Sequence, residues 1–408
     1  MLLGVTCAVA VATPAAAYDA TDLKRTLARE MARASPASGL YVRDLGSDRE
    51  LYALRASAVR VPASVEKLYT TATALLRLGP QATLDTRALS DGVLGDDGVL
   101  RGDLALVGAG DPFFGTESAA RLADAVKAAG VRRIDGAVIG DESGFDRLRS
   151  ACCSGYDPDL GGVLSALTYN RGFLGNVLRL DAGRFAADRF AEQLRAAGIR
   201  STGRPRAATA PQAAGVIATA PSMPVRELIR FVNVPSNNFA AEMLLKALGE
   251  RYGTAGSTRA GAAVVRSTLR EIDVRPRFVD GSGLSRSNTT TPTDVVALLD
   301  RMDEPDIRGI FRASLALAGQ TGTVKARMRG TAAHRRCRLK TGTLRRVSAL
   351  AGICRTRGGQ DVAFAVLMNR VSSFVGARAI QDHIAAAIAR LDTLAATDPQ
   401  PSGGPATP

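Results

Sequence analysis

Histidine is almost absent from this 408-residue chain, which has only His334 and His383. There is no C-x-x-C pair either, so nothing in the sequence supplies the ligand set of a structural zinc site. No metal and no cofactor are expected. A Ser-His-Asp triad has equally little to build on. His383 falls near the end of a helical C-terminal segment, His334 sits in the basic run His334-Arg335-Arg336, and no G-x-S-x-G elbow occurs. Both histidines read as surface residues. Aromatic residues make up only 5% of the chain and its arginines are dispersed, so the net charge of +14 does not describe a nucleic-acid interface. It reads as an arginine-rich solvated surface, one that anionic wall polymers would attract if the protein is exported. After the first twenty positions no run of 18 apolar residues appears, so no transmembrane helix is expected in the body.

Lysine is scarce in a different way. Of 53 Lys and Arg residues only Lys24, Lys67, Lys127, Lys246, Lys325 and Lys340 are lysine. Arginine cannot lose its proton inside a protein, whereas lysine can when it is buried. Lysines kept in an arginine background therefore mark places where a removable proton is useful.

What is present at the N-terminus is a short apolar run ending in Ala15-Ala16-Ala17, an A-x-A cleavage pattern with no Lys or Arg ahead of it. We expect export with removal of residues 1–17. Cys7 leaves with that segment. Cys152, Cys153, Cys337 and Cys354 remain, in a compartment where disulfides persist.

Along the body, residues 39–46 and 50–54 read as two strands around a Gly-Ser-Asp turn, and a helix runs from Ser64 to Leu78, closed by Gly79-Pro80. From Leu84 to Ala220 the texture changes to short β-like runs at 103–107, 133–139 and 176–180, with one clear helix at 186–197. That stretch reads as an inserted β-rich domain, 84–220. The catalytic domain would then be discontinuous, 18–83 and 221–392, with helices at 224–232, 237–248, 258–271, 292–302 and 376–390 and two strands flanking 345–346. The Pro/Gly-rich tail, 393–408, is expected to be disordered.

Three short motifs stand in order: Ser64-Val65-Glu66-Lys67, Ser236-Asn237-Asn238 and Lys340-Thr341-Gly342-Thr343. Each alone is weak; together they form the S-x-x-K, S-x-N, K-T-G set of active-site-serine enzymes. Residues i and i+3 share a helix face, which brings the Lys67 amine within reach of the Ser64 hydroxyl. A serine needs a base to become a nucleophile, and a buried lysine can be one. Ser236 and Asn238 follow Pro235, where an extended chain points alternate side chains the same way. Ser236 can pass a proton to a leaving amine and Asn238 can bind a substrate carbonyl; the plainer alternative is a helix N-cap. On a strand, Gly342 would let substrate approach the backbone. Lys340, Thr341 and Thr343 would hold a carboxylate. The N–H groups of Ser64 and Thr343 would form an oxyanion hole.

At this point the sequence resembles the class C low-molecular-mass penicillin-binding proteins, the D-Ala-D-Ala carboxypeptidases and endopeptidases, from about Gly39 to Leu391. The resemblance also includes Gly102–Pro112, Asp280-Gly-Ser-Gly-Leu-Ser285, Thr321-Gly-Thr323, Arg329-Gly-Thr331 and Val347–Gly352. It implies an α/β (α+β) fold of the serine β-lactamase/transpeptidase type, an antiparallel sheet flanked by helices and interrupted after the S-x-x-K helix. It implies Ser64 as nucleophile and Lys67 as base, peptidoglycan stem peptides as substrate, and β-lactam antibiotics that acylate Ser64. In such proteins the inserted domain helps form a pocket for the third side chain of the stem peptide. Asp141, Glu142 and Asp146 are candidates there, with a plain turn cluster as the alternative. Arg345-Arg346 departs from the family, where small residues are usual at the hairpin tip. If these two form a two-residue turn, Cys337 falls directly opposite Cys354, and a disulfide can join them.

Two other functions stay open on sequence alone. A β-lactamase on this fold would need a carboxylate for rapid deacylation, and no E-x-x-L-N-type segment is seen. A wall-binding protein with little chemistry would tolerate loss of Ser64 or Lys67, but both are present.

Overall fold

The structure, a computed structural model, describes residues 17–151 and 155–394. The expected export segment up to residue 16, the pair Cys152-Cys153 and the tail from residue 395 lie outside the described residues. Among the described residues no helix is long and apolar enough to cross a membrane.

The central element is a six-stranded antiparallel sheet. Its strands run in the order Ala316–Leu317, Cys337–Leu344, Val347–Arg355, Asp361–Asn369, Ser38–Asp44 and Glu50–Leu54. Both faces are covered, so the central strands read as unbroken apolar runs, and the two-residue alternation shows only in what each residue touches. Ala349, Ala351, Ile353, Ala363, Ala365 and Leu367 pack on one core, together with Leu68, Tyr69 and Phe239. Leu350, Cys354, Val362, Phe364, Val366 and Met368 pack on the other, against Leu23, Leu27, Ile384 and Ile388. The first face is rich in alanine. Small side chains there let the helices that carry the motifs approach the sheet closely.

The helices on that face are Lys67–Leu78, Val225–Asn233, Asn238–Tyr252, Thr258–Arg270 and Pro292–Arg301, and the first and third of them carry motif residues. Phe374–Arg390 covers the opposite face. Several starts are set by side-chain caps of the kind a helix N-terminus requires: Asn237, Ser257, Thr291 and Ser373 each accept a backbone N–H. A helix that the sequence reading did not name, Ala20–Ala32, packs beside Phe374–Arg390. Its signals were the cap at Asp19 and the stripe Leu23, Leu27 and Met31.

Residues 86–220 build a five-stranded and a four-stranded sheet, with a core of their own around Leu122, Val126, Phe190 and Leu194. Three sequence expectations change here. The run 133–139 is two strands in different sheets, Arg133–Ile134 and Val138–Asp141. The helix placed at 186–197 starts earlier, at Ala182, because Asp181 caps it and Gly183 packs on Gly140. A second helix, Thr116–Ala128, was missed. The carboxylates suggested for a stem-peptide pocket are all committed to the chain itself. Asp141 accepts from Ser143 N and Ala210 N, both at 2.8 Å, Glu142 pairs with Arg149 at 2.6 Å, and Asp146 pairs with Lys246 at 2.5 Å.

The hairpin register follows the two-residue turn at Arg345-Arg346, with Leu344 opposite Val347 and Cys337 opposite Cys354. Cys337 and Cys354 form a disulfide. A non-reducing peptide map should recover the two cysteines as one cross-linked species. Replacing both by alanine should lower stability by about 3 kcal/mol, the size expected for a closed loop of this length. Lys246 is fully buried, whereas Asp146 is partly exposed. Asp146→Ala, which strands a buried ammonium, should therefore lower the melting temperature more than Lys246→Met does.

Candidate active site

Ser64 lies in a 3-10 turn, Ala63–Glu66, that feeds into the helix Lys67–Leu78. Lys67 is the first residue of that helix and is completely buried. Its Nζ meets three oxygens: Ser64 Oγ at 2.9 Å, Asn238 Oδ1 at 2.7 Å and the carbonyl of Ser282. An ammonium has three protons to give, and the free amine has two protons and one lone pair. Both forms fit these three partners, provided that Ser64 turns from acceptor to donor when the amine is free. A proton can pass between Oγ and Nζ with no heavy atom moving. Burial lowers the Lys67 pKa to about 7, and the charges of Asp280, Glu242 and Glu66 oppose that fall.

The second motif is placed differently from the extended reading. Ser236 has φ of 63° and Asn238 opens the next helix, while the residue between them, Asn237, is the cap, accepting from Ala240 N at 3.0 Å. A helix start, rather than strand alternation, is what turns Ser236 and Asn238 into one site. Asn238 also donates its Nδ2 to the Asp159 carbonyl at 2.7 Å. Serving a substrate carbonyl would require that donor to change partners.

The third motif runs along the strand Cys337–Leu344. Lys340 is completely buried, and its Nζ donates to Ser236 Oγ at 2.8 Å and to the Thr341 carbonyl at 2.9 Å. Burial, followed by the charge of Lys67, holds its pKa well below the usual lysine range. The hydroxyls nearer the surface are Thr341, bonded to Thr323 Oγ1 at 2.8 Å, and Thr343, which is exposed. Gly342 makes a close approach, but to the chain's own backbone. A Cβ there would lie 2.5 Å from the Pro62 carbonyl and 3.1 Å from the amide nitrogens of Ser64 and Val65. This glycine docks the 3-10 turn on the strand and so brings the Ser64 and Thr343 segments side by side.

The structure thus gathers Ser64, Lys67, Ser236, Asn238, Lys340, Thr341, Gly342 and Thr343 in one place. The histidines are engaged elsewhere, His383 with Glu30 at 3.2 Å and His334 with Gln320 at 2.8 Å. Motif reading did not assign the Ser282 carbonyl, Glu242, Glu66 or Thr323 to the site. The glycine-rich segment 280–285 and the Thr321-Gly-Thr323 turn were noticed, but nothing in their residue types says that a main-chain carbonyl would face Lys67.

Comparison with known proteins places the chain in a family. A relative from Actinomadura sp. (strain R39), a D-alanyl-D-alanine carboxypeptidase, is 30% identical over 95% of this chain and 88% of its own length. The carboxypeptidase DacB of Mycolicibacterium smegmatis is 29% identical over 86% of this chain and 81% of that protein. Penicillin binding protein 4 (dacB) of Haemophilus influenzae has the same fold, with a TM-score of 0.74 at 21% identity, covering 88% of this chain and 97% of that one. A second structure of the Haemophilus protein is a complex with a β-lactam. The model of the D-Ala-D-Ala carboxypeptidase 3 (S13) family matches residues 21–159 and 175–391, which include all three motifs. The chain belongs to that family.

Proposed function

We propose that this serine-type D-Ala-D-Ala carboxypeptidase acts on peptidoglycan stem peptides through an acyl-serine at Ser64. The observation that carries the mechanism is the Lys67 Nζ to Ser64 Oγ contact of 2.9 Å, made by a lysine with no exposed atom. In this reading the free amine of Lys67 takes the Ser64 proton as Oγ attacks the carbonyl carbon of the D-Ala–D-Ala bond. The oxyanion is received by the N–H groups of Ser64 and Thr343, an arrangement worth roughly 3 kcal/mol per donor. Ser236 gives its proton to the departing amine, and Lys340, 2.8 Å away, replaces it. Water then reverses each transfer. Its hydroxyl bonds to the acyl carbon, its proton reloads the Ser236–Lys340 pair, and the Lys67 proton returns to Oγ. Atoms and charge balance over the cycle.

Because Lys340 is buried behind Ser236, the substrate carboxylate in this reading meets the hydroxyls of Thr341, Thr343 and Thr323, and Lys340 contributes its field and its proton. β-Lactams present the same acyl group in a ring, so they would acylate Ser64. We assign the catalytic domain to residues 18–83 and 221–392 and the inserted domain to 84–220. The working place would be outside the cytoplasmic membrane, where peptidoglycan lies.

A fluorescent penicillin should label the wild-type protein but not Ser64→Ala, and the wild type should release D-Ala from a D-Ala–D-Ala peptide. Labelling without release would leave only a penicillin-binding role, and rapid turnover of the antibiotic would mean a β-lactamase. The pH dependence has a definite sign. A lysine pKa lowered to about 7 leaves the ammonium dominant below that pH and the free base above it. Acylation should therefore rise as pH increases through about 7 and then level. Lys67→Arg should lose roughly 10²- to 10⁴-fold in acylation rate, the usual contribution of a general base.

A further inference from the structure

Lys67 is surrounded by more carboxyl groups than one ammonium can balance. Glu66 faces it from its own 3-10 turn, Glu242 from the helix Asn238–Tyr252 and Asp280 from the glycine-rich segment, and Lys340 adds a like charge from the strand. Glu66, Glu242 and Lys67 are completely buried. Asp280 is solvated by the chain: it accepts from Gly283 N at 2.7 Å, Ser285 N at 2.7 Å and Asn288 Nδ2 at 2.8 Å. Among the described residues neither oxygen of Glu66 has a hydrogen-bond partner, nor has Glu242 Oε2. Lys246 also faces Glu242 from the next turn of the same helix, but its charge is matched by Asp146. Three carboxylates against the two ammoniums of Lys67 and Lys340 would still leave surplus negative charge in a dry site, which the interior does not tolerate unless protons are retained.

Glu242 differs from Glu66 in being wired to the lysine. It lies four residues after Asn238, on the same helix face. Asn238 Oδ1 takes Nζ directly at 2.7 Å. One turn on, Glu242 Oε1 accepts the N–H of Ser282 at 2.7 Å, and the carbonyl of Ser282 takes Nζ. The segment carrying Ser282 is wedged in place by its glycines. A Cβ at Gly281 would come within 2.8 Å of the Ala241 carbonyl and 3.0 Å of Leu245 Cβ, and one at Gly283 would come within 3.0 Å of Glu66 Cβ.

We propose that Glu242 is a positioning residue for Lys67: it fixes the Ser282 peptide that receives Nζ and supplies the balancing charge when Nζ holds the proton taken from Ser64. The proposal rests on Lys67 being the base. Burial, then the charge of Asp280, raises the Glu242 pKa to about 7, where Lys67 also titrates. The charge of Glu242 acts on Lys67, so the protonation of the lysine depends on that of the glutamate. Amine with carboxylic acid, and ammonium with carboxylate, contain the same number of protons. Acylation that starts from the free amine beside an ionised Glu242 adds the Ser64 proton and yields ammonium beside carboxylate, the charged pair the proposal requires.

The test is the pH profile of benzylpenicillin acylation in wild type, Glu242→Gln and Glu242→Asp. Gln keeps an acceptor for Ser282 N and removes the charge. Without that charge Lys67 holds its proton less firmly, so the rising limb should move to lower pH by roughly one unit, while Asp, which retains the charge, should leave it near the wild-type position. A Gln profile that drops in height with its limb unmoved would reduce Glu242 to a structural role and overturn the proposal. If Glu242→Gln does not fold, carboxyl-carbon NMR of the wild type decides the same point. A glutamate resonance that titrates near neutrality, is absent from Glu242→Asp and shifts on acylation supports it, and the lack of such a resonance refutes it. Failure of the underlying reading looks different: a wild-type profile with no rising limb, or full acylation by Lys67→Arg, removes the base whatever Glu242 does.

Discussion

Lys67 has no exposed atom, and its amine is placed where hydroxyl, amide oxygen and main-chain carbonyl converge. The rest of the site is arranged around what that burial requires. A buried ammonium is costly unless its protons are accepted and its charge is offset. Here three acceptors meet the three protons, and the carboxyl groups of Glu66, Glu242 and Asp280 offset the charge. Burial outweighs these charges and lowers the lysine pKa to about 7, which the proposed role of Lys67 as base for Ser64 requires.

Holding so many groups around one nitrogen needs several backbones to come unusually close, and the chain uses small residues to do so. Gly342 lets the strand Cys337–Leu344 touch the turn bearing Ser64, Gly281 and Gly283 let the Ser282 segment lie between two helical elements, and an alanine-rich sheet face seats the helices behind them. Two non-glycine residues are held in the left-handed region beside the reacting groups: Ala63 at φ 50° just before Ser64, and Ser236 at φ 63°. Such conformations cost roughly 1–3 kcal/mol each and persist only where the surroundings over-determine them. The first precedes the Ser64 hydroxyl that Lys67 meets, and the second carries the hydroxyl that Lys340 meets.

Residues 86–220 build their own core and meet the helices of the catalytic face through Lys246 and Asp146 and through a bridge from Phe145 to Gly256. Acidic residues there that looked available for substrate are used to hold the polypeptide together. A carboxylate near a turn cannot be sorted into ligand or structural member by its position in the chain, because its partners (Arg149 and Lys246 here) are set by packing.

Motif order, lysine scarcity and hairpin register are local or countable properties, and from them the sequence alone determined the S-x-x-K, S-x-N and K-T-G assignment, the family, most helices of the catalytic face and the facing of Cys337 and Cys354. The helix Ala20–Ala32 was legible in its cap and its stripe and was passed over; the split of 133–139 between two sheets was not legible, since alternation is the same in either. Tertiary structure alone decided that Lys340 lies behind Ser236, that Gly342 serves backbone packing, and that Glu242 reaches Lys67 through the Ser282 peptide. Each of these depends on which groups water is kept from and which backbones touch. Such facts arise between segments scores of residues apart and leave no period or spacing in the chain.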